Sequence, residues 1–238
     1  MTLPRRIKAR SAGARLVAVV ASETDLVQAA RLRRLPDFFE LRLDSLHSVV
    51  SASDGRIPRL RAPIILTARA PREGGIDNLA DDERCSLLLE FLNHAAYVDI
   101  EIDSAASMRP VLLAAKARNL KRIMSVHALG RSVTIQAMDG WAVTARTHSA
   151  DIFKIAVRTD TVAELERLLA FFEQQKTRMD VAAMGVGKFG RRSRIELAGR
   201  GSALNYAHLG AAAVDGQLSL RQLRDVLGKE LAPSPRGQ

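Results

Sequence analysis

The chain has 238 residues, 47% hydrophobic and 26% charged, with a formal net charge of +10. That composition suits one large globular core, and a single domain is expected, since α/β barrels of this length are routine. No apolar run approaches the roughly 18 residues of a membrane helix. The opening MTLPRRIKAR also lacks the apolar centre of a secretory signal, so a cytoplasmic location and no membrane partner are expected.

The positive charge first suggests nucleic acid, whose phosphates attract basic patches. Its distribution argues otherwise. Acid-free basic residues gather at Arg5, Arg6, Lys8, Arg10 and Arg15, while elsewhere Arg and Lys are mostly interleaved with Asp and Glu. Aromatic residues make up only 4%, leaving few platforms for stacked bases. No nucleic-acid partner is expected, and residues 1–15 read as a solvated basic arm. Cys85, the only cysteine, rules out a disulfide within the chain and a thiolate metal cluster.

From Leu16 onward, short β-branched runs alternate with longer helical ones. Eight strands are expected: LVAVVA from Leu16, FFELRLD from Phe38, PIILTAR from Pro63, YVDIEID from Tyr97, RIMSVH from Arg122, DIFKIAV from Asp151, DVAAMGV from Asp180 and GSALNYA from Gly201. After the first strand, SETDLVQAARLRRL opens on Ser22, with Asp25 three residues on in the manner of a capping box. LADDERCSLLLEFLNHAA, SAASMRPVLLAAKARN and TDTVAELERLLAFFEQQK follow the third, fourth and sixth strands, with apolar residues at three- and four-residue spacing. Weaker helical signals cover Ser132 to His148 and Arg192 to Gly199, and a last helix runs from about Ser219 to Leu227. Repetition of strand and helix predicts a single-domain (β/α)8 TIM barrel over residues 16–230. An open doubly wound sheet is the runner-up, but no Gly-rich phosphate loop follows the first strand. The tail, LAPSPRGQ at 231–238, reads as disordered.

In such a barrel, function belongs at the carboxyl ends of the strands. Lys154 sits inside the apolar DIFKIAV run, where loss of water favours the neutral amine that attacks a ketone. The bland alternative is a lysine whose stem lies on apolar surface and whose head reaches water. Glu40, Arg42 and Asp44 are two apart, so a strand would point all three to one face, the barrel interior. The third strand ends in Arg69, with Glu73 four residues later beside Gly74 and Gly75. Asp99 and Glu101 share a face of the fourth strand, His127 ends the fifth, and Lys188, Arg191, Arg192 and Arg194 follow the seventh. Each of these has a structural reading: an internal ion-pair network, a structural histidine, a solvated loop. Together they offer an amine nucleophile, a proton shuttle and an anion clamp on one rim. His127 has no second histidine at ligand spacing, so no metal site is expected.

These residues resemble the type I 3-dehydroquinate dehydratase family, the Schiff-base class of the shikimate pathway. ELRLD (Glu40 to Asp44) is similar to its E-x-R-x-D strand, and TARAPREGG (Thr67 to Gly75) to its T-x-R-x-x-x-E-G-G segment. MSVH ending in His127, FKIAV around Lys154, KFGRRSR (Lys188 to Arg194) and DGQLS (Asp215 to Ser219) follow in the family's order and spacing. The resemblance implies dehydration of 3-dehydroquinate to 3-dehydroshikimate without a cofactor. It implies an imine on Lys154, proton transfer by His127 and tuning of that imidazole by Glu73. Glu40 and Arg42 would bind ring hydroxyls, Arg69 and Arg194 would hold the substrate, and Gln217 would close with a lid. Asp44, Asp99 and Glu101 would support them, and a homodimer would be usual. Four positions depart from the family's pattern: Val19 and Ala213 stand where serines are usual, Asp215 replaces a lid proline, and Val126 replaces an asparagine. These leave a substrate-shifted Schiff-base lyase or aldolase, or a non-catalytic paralogue, as the alternative reading.

Overall fold

The computed structural model describes residues 14–51, 55–130 and 132–230. The expected tail at 231–238, and all but two residues of the basic arm, lie outside that range. Eight strands form one parallel sheet: β1 Leu16–Val20, β2 Phe38–Arg42, β3 Ile64–Thr67, β4 Ala95–Glu101, β5 Lys121–Ala128, β6 Ile152–Arg158, β7 Asp180–Val186 and β8 Asn205–His208. Their order is β7-β6-β5-β4-β3-β2-β1-β8. β7 and β8 share no ladder; the seam is drawn together by Ala203 N donating to Val181 O at 2.8 Å and Ala183 N donating to Ser202 Oγ at 3.3 Å. The sheet therefore closes on itself as the (β/α)8 barrel.

Alternation along each strand sorts the side chains. Leu41, Leu66, Val98, Met124, Phe153 and Ile155 point outward into the helix layer, all fully buried. Inside, Val17, Phe38, Ile65, Tyr97, Ile123 and Ile152 pack an apolar plug. Burying a side chain of this size contributes about 1.5–3 kcal/mol, so the plug and the outer layer fix the register. Above the plug the interior turns polar at Glu40, Thr67, Asp99, Ser125 and Lys154, each buried.

The helices are α1 Glu23–Arg31, α2 Leu43–Leu46, α3 Asp81–Phe91, α4 Arg109–Ala117, α5 Ile135–Thr147, α6 Val162–Gln175, α7 Gly190–Gly199 and α8 Leu220–Glu230. Ser22 caps α1 by accepting from Asp25 N at 3.1 Å, and Asp25 Oδ2 reaches back to Ala21 N at 3.2 Å. The two weakest helical signals form full elements, α5 and α7; Thr134, not Ser132, is the N-cap of α5.

Two expectations are corrected. β2 stops at Arg42, so Asp44 is not a third residue on its face but lies in the first turn of the four-residue α2. Among the described residues, the crossover from β2 to β3 thus carries α2 and a 3-10 turn at Ile57–Arg59. β8 begins at Asn205, because Gly201 at φ 96° and the residues after it form the turn out of α7.

Candidate active site

Lys154 enters from the middle of β6, beside Ser125 of β5 and Ala182 of β7. Its Nζ donates to Glu40 Oε1 and to Asp99 Oδ2, both at 2.8 Å, and lies 4.0 Å from the centroid of the Tyr206 ring. The lysine is 3% exposed, so the snorkelling alternative is excluded. An ammonium in the interior requires such partners, and here two carboxylates and an aromatic face supply them.

Asp99 connects the lysine to a wider network. Its Oδ1 accepts from Ser125 Oγ at 2.6 Å and its Oδ2 also accepts from Arg69 Nη2 at 2.9 Å. Burial pushes its carboxyl up, but Arg69 and Lys154 outweigh burial and hold it below the ordinary range. Arg69 Nη1 donates to Glu101 Oε1 and Ser125 Oγ, each at 2.8 Å. Burial opposes the Arg69 charge, but Asp99 and Glu101 overcome it and raise its pKa. Glu101 also accepts from Arg84, a fully buried residue of α3 whose Nε donates to Ala68 O at 2.7 Å.

His127 lies two residues beyond Ser125 on the same face of β5, nearer the barrel mouth. Glu73, in the 3-10 turn Pro71–Glu73, accepts from His127 N at 2.9 Å with the same Oε2 that lies 3.0 Å from Nδ1. Burial, then Arg69 and Lys154, hold the imidazole well below its usual pKa of 6.5. Burial pushes Glu73 up to about 7, opposed by Arg69. A neutral ring donating from Nδ1 leaves the Nε2 lone pair free, which is the form a general base needs.

Arg42 forks onto Asp44, Nε at 2.9 Å and Nη2 at 2.7 Å, and Nη2 reaches Gly74 O at 3.3 Å. Asp44 also accepts from the backbone N of Arg69 and of Ile76, both at 3.1 Å, and so pins the loop that presents Glu73. Arg194, on α7, reaches the β7/β8 seam, where Nη1 lies 3.5 Å from Tyr206 O and 3.7 Å from Met184 Sδ. Its Nε is buried without a partner among the described residues, and burial pulls its pKa down to about 10. Gln217 Oε1 accepts from Ala213 N at 2.9 Å, which ties the lid loop to itself rather than to the lysine. Asp215 is exposed; its charge adds to that of Asp160 in raising the pKa of Arg158.

Sequence reasoning missed four participants. Ser125 and Thr67, whose Oγ donates to Glu40 Oε1 at 3.1 Å, sit two residues before His127 and Arg69, and strand alternation signals both. Tyr206 was legible as the aromatic residue of the eighth strand. Arg84 carried no signal, since an arginine within DDER reads as a solvated helix face.

A buried amine among carboxylates inside the barrel, with an imidazole one position nearer the mouth on the adjoining strand, has the makings of a lyase site on a (β/α)8 scaffold. The comparisons with known proteins agree. The type I 3-dehydroquinase family matches residues 16–230, and the chain belongs to that family. It is 30% identical over 223 residues to the 3-dehydroquinate dehydratase of Aromatoleum aromaticum, covering 88% of this chain and 84% of that one. The 3-dehydroquinate dehydratase of Methanothermobacter thermautotrophicus is 29% identical over 201 residues, with 83% and 86% covered. Among solved structures, the 3-dehydroquinate dehydratase of Geobacillus kaustophilus superposes with a TM-score of 0.84 at 22% identity, covering 93% of each chain.

Proposed function

We propose that this dehydratase converts 3-dehydroquinate to 3-dehydroshikimate through an imine on Lys154. The carrying observation is the Lys154 amine, 2.8 Å from each of two carboxylates, with His127 one inward-facing position nearer the mouth on the adjoining strand. The ammonium passes a proton to one of its carboxylate partners as the nitrogen adds to the ring ketone, and that proton returns as water leaves, giving a protonated imine. His127 Nε2 then takes the C2 proton, the electron pair moves into the imine to form an enamine, and the same proton is returned to the C1 hydroxyl as it departs as water. Hydrolysis of the remaining imine frees the product. Glu73 orients the imidazole and balances the charge that forms on it. Glu40 and Asp99 orient the amine, and Arg69, Asp44 and Glu101 hold those groups in place. Glu40 and Arg42 remain the hydroxyl-binding candidates on this reading, with Gln217 following the lid. Borohydride reduction in the presence of 3-dehydroquinate tests the reading: an adduct on Lys154 carrying the dehydrated ligand supports it, and no adduct at saturating ligand removes it.

Arg194 is the carboxylate clamp of this proposal, because a buried guanidinium with no acid beside it lacks the partner that a carboxylate ligand supplies. Arg194→Met therefore separates binding from folding. We expect KM to rise roughly thirtyfold or more, as for a lost charge-assisted pair of about 2 kcal/mol or more, while the melting temperature is unchanged or higher. An unchanged KM would assign the anion to another cation.

We also propose one compact unit over residues 16–230, a cytoplasmic location and a homodimer, each resting on membership of the family. No helix among the described residues is long and apolar enough to cross a membrane. Sedimentation at micromolar concentration should give twice the chain mass of 26.0 kDa, and a monomer would refute the dimer.

A further inference from the structure

Val19 leaves a gap in the polar ring at the barrel mouth, and the adjoining strand supplies a group that fits it. In the ladders Val19 lies between Glu40 of β2 and His208 of β8, paired with both. Neighbouring strands are about 4.8 Å apart, so Glu40 and His208 flank Val19 at one level of the barrel. That is the level at which Glu40 meets the Lys154 amine. Tyr206 faces inward over Lys154 and Ala207 is buried in the outer core, so alternation turns His208 inward as well.

The imidazole has one committed and one free nitrogen. Nδ1 lies 2.7 Å from Gly210 O, and since a carbonyl only accepts, Nδ1 carries the proton. With the proton on Nδ1, Nε2 is the nitrogen left to accept, and it has no partner among the described residues. His208 as a residue is half-buried. The backbone is anchored too: His208 N donates to Leu218 O at 3.1 Å, and His208 bridges to Ser219, so both ends of the lid segment 209–218 meet at this residue.

We infer that His208 is a specificity-determining residue whose Nε2 accepts a hydrogen bond from a ring hydroxyl of the substrate lying over Val19. This rests on the dehydratase reading above. Val19 offers only methyl groups, and a hydroxyl enclosed beneath the lid needs an acceptor. Lid closure and hydroxyl recognition would then share one side chain, with Gly210 on one ring nitrogen and substrate on the other.

The test separates these duties. His208→Asn keeps a donor for Gly210 O but places no atom where Nε2 stands; His208→Gln places an amide there instead. We expect His208→Asn to raise KM for 3-dehydroquinate roughly fivefold to tenfold, the range for one neutral hydrogen bond, with kcat within about twofold. His208→Gln should recover part of that loss. The decisive comparison uses analogues lacking one or other of the vicinal ring hydroxyls: the His208→Asn penalty should vanish for the one that lacks the contacted group. A KM within twofold of wild type, or an equal penalty for substrate and both analogues, overturns the assignment. Borohydride trapping on the unmodified protein keeps the two readings apart. Absence of a Lys154 adduct sinks the dehydratase reading, whereas a normal adduct with an indifferent His208→Asn variant sinks this inference alone.

Discussion

Replacing Lys154 with arginine is expected to abolish turnover and borohydride trapping while leaving the barrel folded. The guanidinium keeps a positive charge between Glu40 and Asp99, but it has no amine that condenses with a ketone. Without the imine, the C2 proton must be removed beside a bare ketone, with no cationic nitrogen to take up the electron pair. The loss is the whole covalent route, on the order of 10³-fold or more, since each 1.36 kcal/mol of barrier is tenfold.

Lys154→Ala should be equally inactive but for a mixed reason. It strips Glu40 Oε1 of its ammonium partner and leaves it, among the described residues, the Thr67 hydroxyl, while Asp99 keeps Arg69 and Ser125. Breaking a buried pair from one side costs about 3–5 kcal/mol, so this variant should melt markedly lower. The arginine variant is therefore the cleaner test. Steady-state assays on both, with a thermal melt of each, distinguish lost chemistry from lost fold. Turnover near wild type in a folded Lys154→Arg protein would end the imine mechanism.

The barrel was legible because its constraints are local and repeated. Alternating strand and helix periods from Leu16 to Leu227 allow few topologies, and the polar residues at strand ends had nowhere to go but the mouth. The failures are equally physical. Asp44 follows the period of β2 in sequence, but Arg42 forks onto it through a short helical turn, and backbone donors from Arg69 and Ile76 complete its shell. A period-2 pattern cannot show where a strand ends when the residue beyond it is satisfied just as well by a turn. Arg84 reached the interior from a helix whose charged residues look solvated, and partners distant in sequence, the Glu101 carboxylate and the Ala68 carbonyl, hold it there. The lid was legible as DGQLS, yet Gln217 bonds within the lid, and the charge of Asp215 acts on Arg158. Both depend on which backbone the loop packs against: Gly190 admits Asp215 O and Gly216 so closely that a Cβ there would meet Asp215 O at 2.8 Å.

The second large effect is expected at the His127 and Glu73 pair, where activity and stability should move in opposite directions. His127→Ala should lower kcat roughly 10²- to 10⁴-fold, the usual worth of a general acid or base. The imine should still form, so trapping should yield a Lys154 adduct that retains its water; an adduct already dehydrated at wild-type rate would remove His127 from the mechanism.

Glu73→Gln probes the same proton through pH. The acid limb is assigned to Glu73, whose Oε2 holds His127 Nδ1 at 3.0 Å. Burial raises Glu73 to about 7, so kcat/KM should climb as pH rises through that region, as the carboxylate forms and fixes the proton on Nδ1. Glutamine accepts the same two donors without titrating, so the limb near 7 should disappear or move to lower pH. The plateau should fall about tenfold or more for want of a counter-charge to the imidazolium. The sign for stability is the reverse. A carboxyl raised from 4.5 to about 7 by folding is penalised when ionised; that penalty develops as pH rises above 4.5 and is complete above 7. At pH 8 the neutral amide escapes it, and the variant should gain stability on the order of 2–3 kcal/mol, a gain that fades as pH falls toward 4.5. A Glu73→Gln protein that is less stable at pH 8, or that keeps the wild-type acid limb, would mean that this carboxylate is ordinary scaffolding. A more stable, slower enzyme with a flattened profile would show a site that gives up stability to hold one proton on the correct nitrogen.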